Sequence, residues 1–158
     1  MITLTPMTPD HLAQVVELSV VTEQLPFVGT TQEVLLNADD KVHPHVVLNE
    51  QQVVGIFLID TQYHLAYPFA DASSLGFRAF LIDKHQQGKG YAQQALKQLN
   101  SYLGLHYPSF NRVFLTVNCR NAQAYHCYLK VGFIDTEEQY LGGAAGPQHI
   151  MWLSLVKE

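Results

Sequence analysis

An excess of positive charge is missing from this 158-residue sequence: 9 Lys and Arg stand against 14 Asp and Glu, for a formal net charge of −5. A phosphate backbone exerts no general pull on such a chain, and no local basic patch compensates, which sets nucleic acid aside as a partner. Cysteine is nearly absent. Cys119 and Cys127 are the two in the chain; their spacing matches no zinc motif, and a helix beginning at Asn121 keeps them from bridging, so reduced thiols in a cytoplasm are expected. No apolar run approaches the roughly 20 residues that cross a bilayer. Met1-Ile2-Thr3-Leu4-Thr5-Pro6 also lacks the positive start and apolar core of a signal peptide, so the expectation is a soluble cytoplasmic protein with no membrane partner.

What is present is enough material for a core. Hydrophobic residues make up 47% of the chain, aromatics 11% and charged residues 15%, the balance of an ordinary globular domain that needs no disulfide or metal staples. Eight histidines occur, the tightest pair being His43-Pro44-His45. Proline stiffens that pair and no third ligand stands at a suitable spacing, so no metal site is expected.

Periodicity divides the chain into alternating elements. Thr8-Pro9-Asp10 reads as a helix start, with Leu12, Val15, Val16 and Val20 following at helical spacing. A loop, a short helix near 32–36 and another loop come next. His45 to Leu48 and Val53 to Ile59, divided by Asn49-Glu50-Gln51-Gln52, have the pattern of a hairpin. Leu75 to Ile82 is a further apolar run, broken at 83–90 before Ala92, Ala95, Leu96, Leu99, Tyr102 and Leu103 line one face of a helix. A strand over 112–117, a helix over 121–130 closed by Gly132, and a terminal hairpin formed by 133–141 and 149–155 complete an α/β arrangement of helices on a mixed sheet.

Between the 75–82 run and the helix lies Gln87-Gly88-Lys89-Gly90-Tyr91-Ala92. Glycines at this point let the backbone turn tightly and aim several amide hydrogens at one place, and the helix start adds partial positive charge, which suits an anion. Lys89 adds a cation at the rim. The loop is neither a Walker A sequence nor a G-x-G-x-x-G dinucleotide turn.

Phe80-Leu81-Ile82-Asp83 followed by Gln87-Gly88-Lys89-Gly90-Tyr91-Ala92 resembles the acetyl-CoA signature of the GNAT (N-acetyltransferase) superfamily, Q/R-x-x-G-x-G/A directly after the fourth strand. Asn121 to Phe133 is similar to the second signature of the same superfamily, an Asn that opens a helix carrying a Tyr and ending in Gly-Phe. The likeness spans about the whole chain and implies a single N-acetyltransferase domain over residues 1–158. The implied fold is a mixed, mostly antiparallel sheet of about seven strands flanked by about four helices, with the fourth and fifth strands splayed. Glu23-Gln24-Leu25-Pro26-Phe27-Val28 and the 80–83 stretch further resemble the bacterial spermine/spermidine acetyltransferases.

The resemblance implies acetyl-CoA as cosubstrate. It assigns the backbone of Phe80, Leu81 and Ile82 to the pantetheine arm, the amides of Gln87 through Ala92 to the pyrophosphate, and Asn121 to the pantetheine. The Ile82 N–H is the candidate for polarising the thioester carbonyl and Tyr128 the candidate acid for the departing thiolate. Tyr125, one turn earlier, is assigned to packing. Cys127 has no activating base nearby, which favours direct transfer over an acyl-enzyme. No glutamate occurs on 73–79 to serve as general base, and Glu23, Glu33 and Asp71 are the carboxylates considered for the acceptor side. Glu23, Phe27 and Arg78 are the candidate substrate-binding residues, Arg78 having pairing with a neighbouring acid as its equal alternative. The expected acceptor is a primary amine of a small molecule, a polyamine or diamine in particular, and a homodimer is compatible with the sequence. Two other readings stand beside this one: acetylation of a protein lysine or amino terminus, and a non-catalytic CoA-binding module.

Overall fold

The computed structural model describes residues 1–19 and 30–156. Seven strands form one sheet in the order β1-β2-β3-β4-β5-β7-β6. The strands are β1 (Ile2–Pro6), β2 (Val42–Asn49), β3 (Gln52–Asp60), β4 (Ser74–Ile82), β5 (Arg112–Asn118), β6 (Ile134–Tyr140) and β7 (Gln148–Ser154). All neighbours run antiparallel except β4 and β5. The described helices are α1 (Leu12–Val15), α2 (Thr31–Leu36), α3 (Tyr91–Lys97), α4 (Leu99–His106) and α5 (Ala122–Lys130). The mixed, mostly antiparallel sheet expected from the sequence is therefore present.

Side chains alternate across each strand, and this period of two supplies both cores. Val47, Phe57 and Ile59 face one side with Leu96, Leu99 and Leu103 of α3 and α4. Val46, Ile56 and Leu58 face the other with Val15 and Val34 of α1 and α2. Being covered on both faces explains why β3 reads as a near-continuous apolar run.

Two local readings differ from the structure. α1 is preceded by a 3-10 turn over Pro9–His11 and ends by Val16. Val15 is buried while Leu12 and Val16 are 47% and 44% exposed, so one residue of the expected face carries the packing; Val20 lies outside the described residues. The helix after the glycine loop is interrupted at Gln98, whose Nε2 donates to the Ile2 carbonyl at 2.7 Å and ties the helix to strand β1. The apolar face crosses the interruption unbroken.

His45 is a buried base beneath α4. Its Nδ1 lies 2.6 Å from Tyr102 Oη and its Nε2 2.9 Å from Tyr107 Oη; His43 continues the chain, with Nδ1 2.8 Å from Tyr107 Oη and Nε2 2.8 Å from the Asp40 carbonyl. A carbonyl can only accept, which fixes the neutral network: His43 Nε2–H donates to Asp40, Tyr107 O–H to His43, His45 Nε2–H to Tyr107, and Tyr102 O–H to His45. Burial, with smaller contributions from His106 and His43, pushes the His45 pKa down to about 3. In the unfolded chain the same ring takes up a proton near pH 6.5. The unfolded state therefore binds the extra proton as pH falls below about 6.5, and stability should drop by up to about 1.4 kcal/mol per pH unit between pH 6.5 and 5. Urea titrations at pH 7.5 and 5 check this; His45→Gln should flatten the slope. The carboxylates held below their usual range, such as Asp39 and Asp135, act only at lower pH.

Candidate active site

β4 and β5 pair at three positions, Ser74↔Arg112, Leu75↔Val113 and Gly76↔Phe114. Beyond Gly76 the two strands run on, to Ile82 and Asn118, without pairing. The divergence begins near a bulge: between the pairs Leu58↔Arg78 and Ile56↔Leu81, Phe57 of β3 faces both Ala79 and Phe80 of β4. Ala79 takes φ +57° to accommodate the extra residue.

The gap exposes backbone groups on the β5 side of β4. Asp83 N–H donates to the Val54 carbonyl at 2.8 Å, so Asp83 and Val54 form a hydrogen-bonded pair. Ile82, one residue earlier and opposite Gly55, must then turn its N–H and C=O away from β3. Gln87 Nε2 donates to that Ile82 carbonyl at 3.0 Å, and the Ile82 N–H is left directed into the gap. Leu81, paired with Ile56, turns its own backbone groups to β3 instead.

A cleft of about 760 Å³ occupies the divergence. It brings together Phe80, Leu81, Ile82, Asn121, Tyr128 and Arg78, and the loop residues Gln87, Gly88, Gly90, Tyr91 and Ala92. Lys89 stays at the rim, its ammonium donating to Gln86 Oε1 at 3.0 Å. Gly88 and Gly90 adopt φ +80° and +79°, a left-handed backbone that a side chain disfavours. A Cβ placed on Gly88 would meet nothing within 4 Å, so the space beside this turn is open.

Tyr128 is buried against Phe77 and Phe133, both in edge-to-face contact at 6.4 and 5.4 Å. Burial drives its pKa above the ordinary phenol value, with Cys127 adding to the effect. Burial likewise raises the Cys127 thiol, which Lys130 only partly offsets. Asn121 caps α5, its side chain accepting the Ala124 N–H at 3.4 Å, and it also lines the cleft. Tyr125 points elsewhere and donates to Asp135 Oδ2 at 2.5 Å.

On the opposite wall, Arg78 Nη1 is 3.1 Å from Asp60 Oδ2. Arg78 thus does both things considered for it, lining the cleft and pairing with an acid. Of the carboxylates considered for the acceptor side, Glu33 lines the cleft. Asp71 instead caps the turn into β4, accepting from Ser73 and Ser74. Glu23 and Phe27 lie outside the described residues.

Several lining residues carry no motif. Tyr63 and Tyr67 stack at 4.1 Å, and Gly76 makes room for them, since a Cβ there would fall 2.0 Å from Tyr63 Cδ1. Their i, i+4 spacing in the polar connection after β3 was the available signal. Asn118, buried at the end of β5, donates to the Ala145 carbonyl at 2.9 Å and accepts from Arg120 N–H at 2.9 Å, holding the β6–β7 connection over the cleft.

Comparison with known proteins agrees with this geometry. The model of the acetyltransferase (GNAT) family matches residues 12–133. An uncharacterized N-acetyltransferase of Bacillus subtilis (strain 168), YbbJ, is 26% identical over 85% of this chain and 86% of its own length. A probable spermine N(1)-acetyltransferase of Bacillus subtilis subsp. natto (strain BEST195) is 30% identical over 80% of this chain and 84% of its own. Among solved structures, the aminoglycoside acetyltransferase AAC(6')-Ib in complex with coenzyme A superposes with a TM-score of 0.78 at 20% identity, covering 98% of this chain and 95% of that one. The spermidine N-acetyltransferase of Vibrio cholerae with CoA and spermine reaches 0.69 at 20% identity over 97% and 95%. With the family model covering most of the chain and the glycine loop, splayed strands and tyrosine sharing one cleft, the protein belongs to the GNAT acetyltransferase family and is an acyltransferase that uses acetyl-CoA.

Proposed function

We propose that the protein transfers the acetyl group of acetyl-CoA directly to a primary amine of a small molecule, both substrates being held in the cleft between β4 and β5. The observation that carries this is the Ile82 N–H, turned away from β3 into the same cleft that Tyr128 and the glycine loop line. Acetyl-CoA supplies an acetyl group already activated as a thioester; the protein has to bind, align and handle protons.

The amides of Gln87 through Ala92 hold the diphosphate, a role supported by the left-handed glycines and the open space beside Gly88. The backbone of Phe80, Leu81 and Ile82 borders the pantetheine arm, with the amide of Asn121 donating to it. The Ile82 N–H polarises the thioester carbonyl, a donor fixed in advance by the strand and so stabilising charge without reorganisation. Tyr128 keeps its proton until the sulfur departs. The apolar wall that raises its pKa also disfavours a free thiolate, so donor and acceptor stay matched. The raised pKa of Cys127 favours direct transfer over an acyl-enzyme. Proximity in a shared cleft supplies much of the remaining rate.

A cytoplasmic setting is supported by the free thiols Cys119 and Cys127; no helix among the described residues is long and apolar enough to cross a membrane. A polyamine acceptor is supported by the likeness to the probable spermine acetyltransferase and by the net negative charge. The charges lining the cleft support a different acceptor, argued below. The expected result is acetyl-CoA-dependent thiol release with at least one member of a panel of diamines, polyamines, amino acids and lysine peptides. Tight CoA binding with silence across the panel would favour the non-catalytic CoA-binding reading.

A further inference from the structure

The cleft has an unequal charge inventory. Among the described residues that line it, Arg78 is the one cation and Glu33 the one carboxylate. Arg78 sits on β4 immediately before the bulge residue Ala79, while Phe80 and Ile82 follow that residue. The wall carrying Arg78 includes Tyr63 and Tyr67, and the guanidinium is close enough to influence the ionisation of both phenols.

Arg78 is also held in place. Its Nη1 meets Asp60 Oδ2 at 3.1 Å, and Asp60 is itself fixed, because its Oδ1 accepts the Gln62 N–H at 2.9 Å. The side chain of Asp60 is 9% exposed against 35% for Arg78, so the carboxylate anchors from behind and the guanidinium presents its other edge to the cleft. One of its five donors is engaged by Asp60, and no other side chain among the described residues takes the rest. A guanidinium edge so oriented matches two oxygens of a planar anion.

We infer that Arg78 recognises a carboxylate carried by the acceptor, so that the acetylated amine belongs to an amino-acid-like molecule rather than to a polycation. This rests on the acetyl-transfer reading above and narrows its acceptor. A polyamine would bring a second cation toward Arg78, with Glu33 the one lining carboxylate among the described residues to balance it. A doubly charged phosphate would meet a guanidinium already shared with Asp60. A monoanion suits the remaining edge.

The test compares amines differing at one group. With CoA saturating, the wild-type protein should bind an ω-amino acid and an α-amino acid about 10–100-fold more tightly than their carboxamides, read by calorimetry without turnover. With acetyl-CoA, kcat/KM should follow the same order and spermidine should rank below the carboxylates. Arg78→Lys, which keeps the charge that Asp60 needs but loses the fork, should remove most of the preference through KM for the amine, with KM for acetyl-CoA unchanged. Equal binding of carboxylate and carboxamide, or preference for spermidine or an aminophosphonate, overturns the inference even if acetyl transfer proceeds. Carboxylate-selective binding without transfer to any amine would instead remove the acetyl-transfer reading and leave the Arg78 site standing.

Discussion

Tyr128→Phe should lower kcat for acetyl transfer by about 10²–10⁴-fold, the usual contribution of a positioned general acid, while leaving the affinity for CoA little changed. The substitution isolates the hydroxyl. The ring keeps its edge-to-face contacts with Phe77 and Phe133, and no side chain among the described residues hydrogen-bonds the phenol, so its loss orphans no buried partner. Thermal stability should therefore stay within about 0.5 kcal/mol of the parent, as for a change that touches no packing mechanism. Steady-state kinetics with acetyl-CoA, beside calorimetry with CoA, separates the two effects. Because burial holds the phenol above the ordinary value of 10.0, Tyr128 should stay protonated across the usual assay range, and its ionisation should put no limb on the kcat profile below about pH 10. Unchanged turnover in the variant would take away the role assigned to this hydroxyl.

The second large effect is expected at the glycine turn. Gly88→Val should weaken CoA binding by about 10–100-fold, equivalent to losing one or two hydrogen bonds to a charged group. The fold should tolerate the change, since nothing lies within 4 Å of the new Cβ. Forcing an L-residue to φ +80° costs about 1–2 kcal/mol, and relief of that strain would rotate the amides proposed to hold the diphosphate. Pantetheine, which lacks the diphosphate, serves as the control ligand: its affinity should not change. Equal loss for pantetheine and CoA would point to general damage of the cleft, and no loss for either would move the diphosphate elsewhere.

The two motifs were legible because their chemistry is local. A left-handed turn needs glycine wherever it occurs, so Gly88 and Gly90 announce the turn before any fold is known. Asn121 likewise announces a helix start, since its side chain satisfies an amide three residues on. The strands were visible for a related reason: two-sided burial leaves β3 an apolar run, and the break after Ile82 is chemical as well as structural. The interruption of the helix at Gln98 was not legible, because the partner of that side chain, the Ile2 carbonyl, is 96 residues away. His45 resembled half of a metal pair, yet Tyr102 of α4 and Tyr107 just after it, packed over the same face of the sheet, turn it into a buried neutral base. Leu12 and Val16 kept the right period, but α1 is too short to bury both.

By itself the sequence determined the order of elements, the glycine turn after β4 and the tyrosine on α5, because each depends on residues within a few positions of one another. Only the tertiary structure decided which backbone groups are free and which charges meet. The Ile82 N–H is available because β4 leaves β5 after Gly76, and Arg78 is aimed because Asp60, eighteen residues earlier, anchors it from the next strand. Pairing and divergence of strands are set by packing across the whole sheet, and no local propensity encodes them.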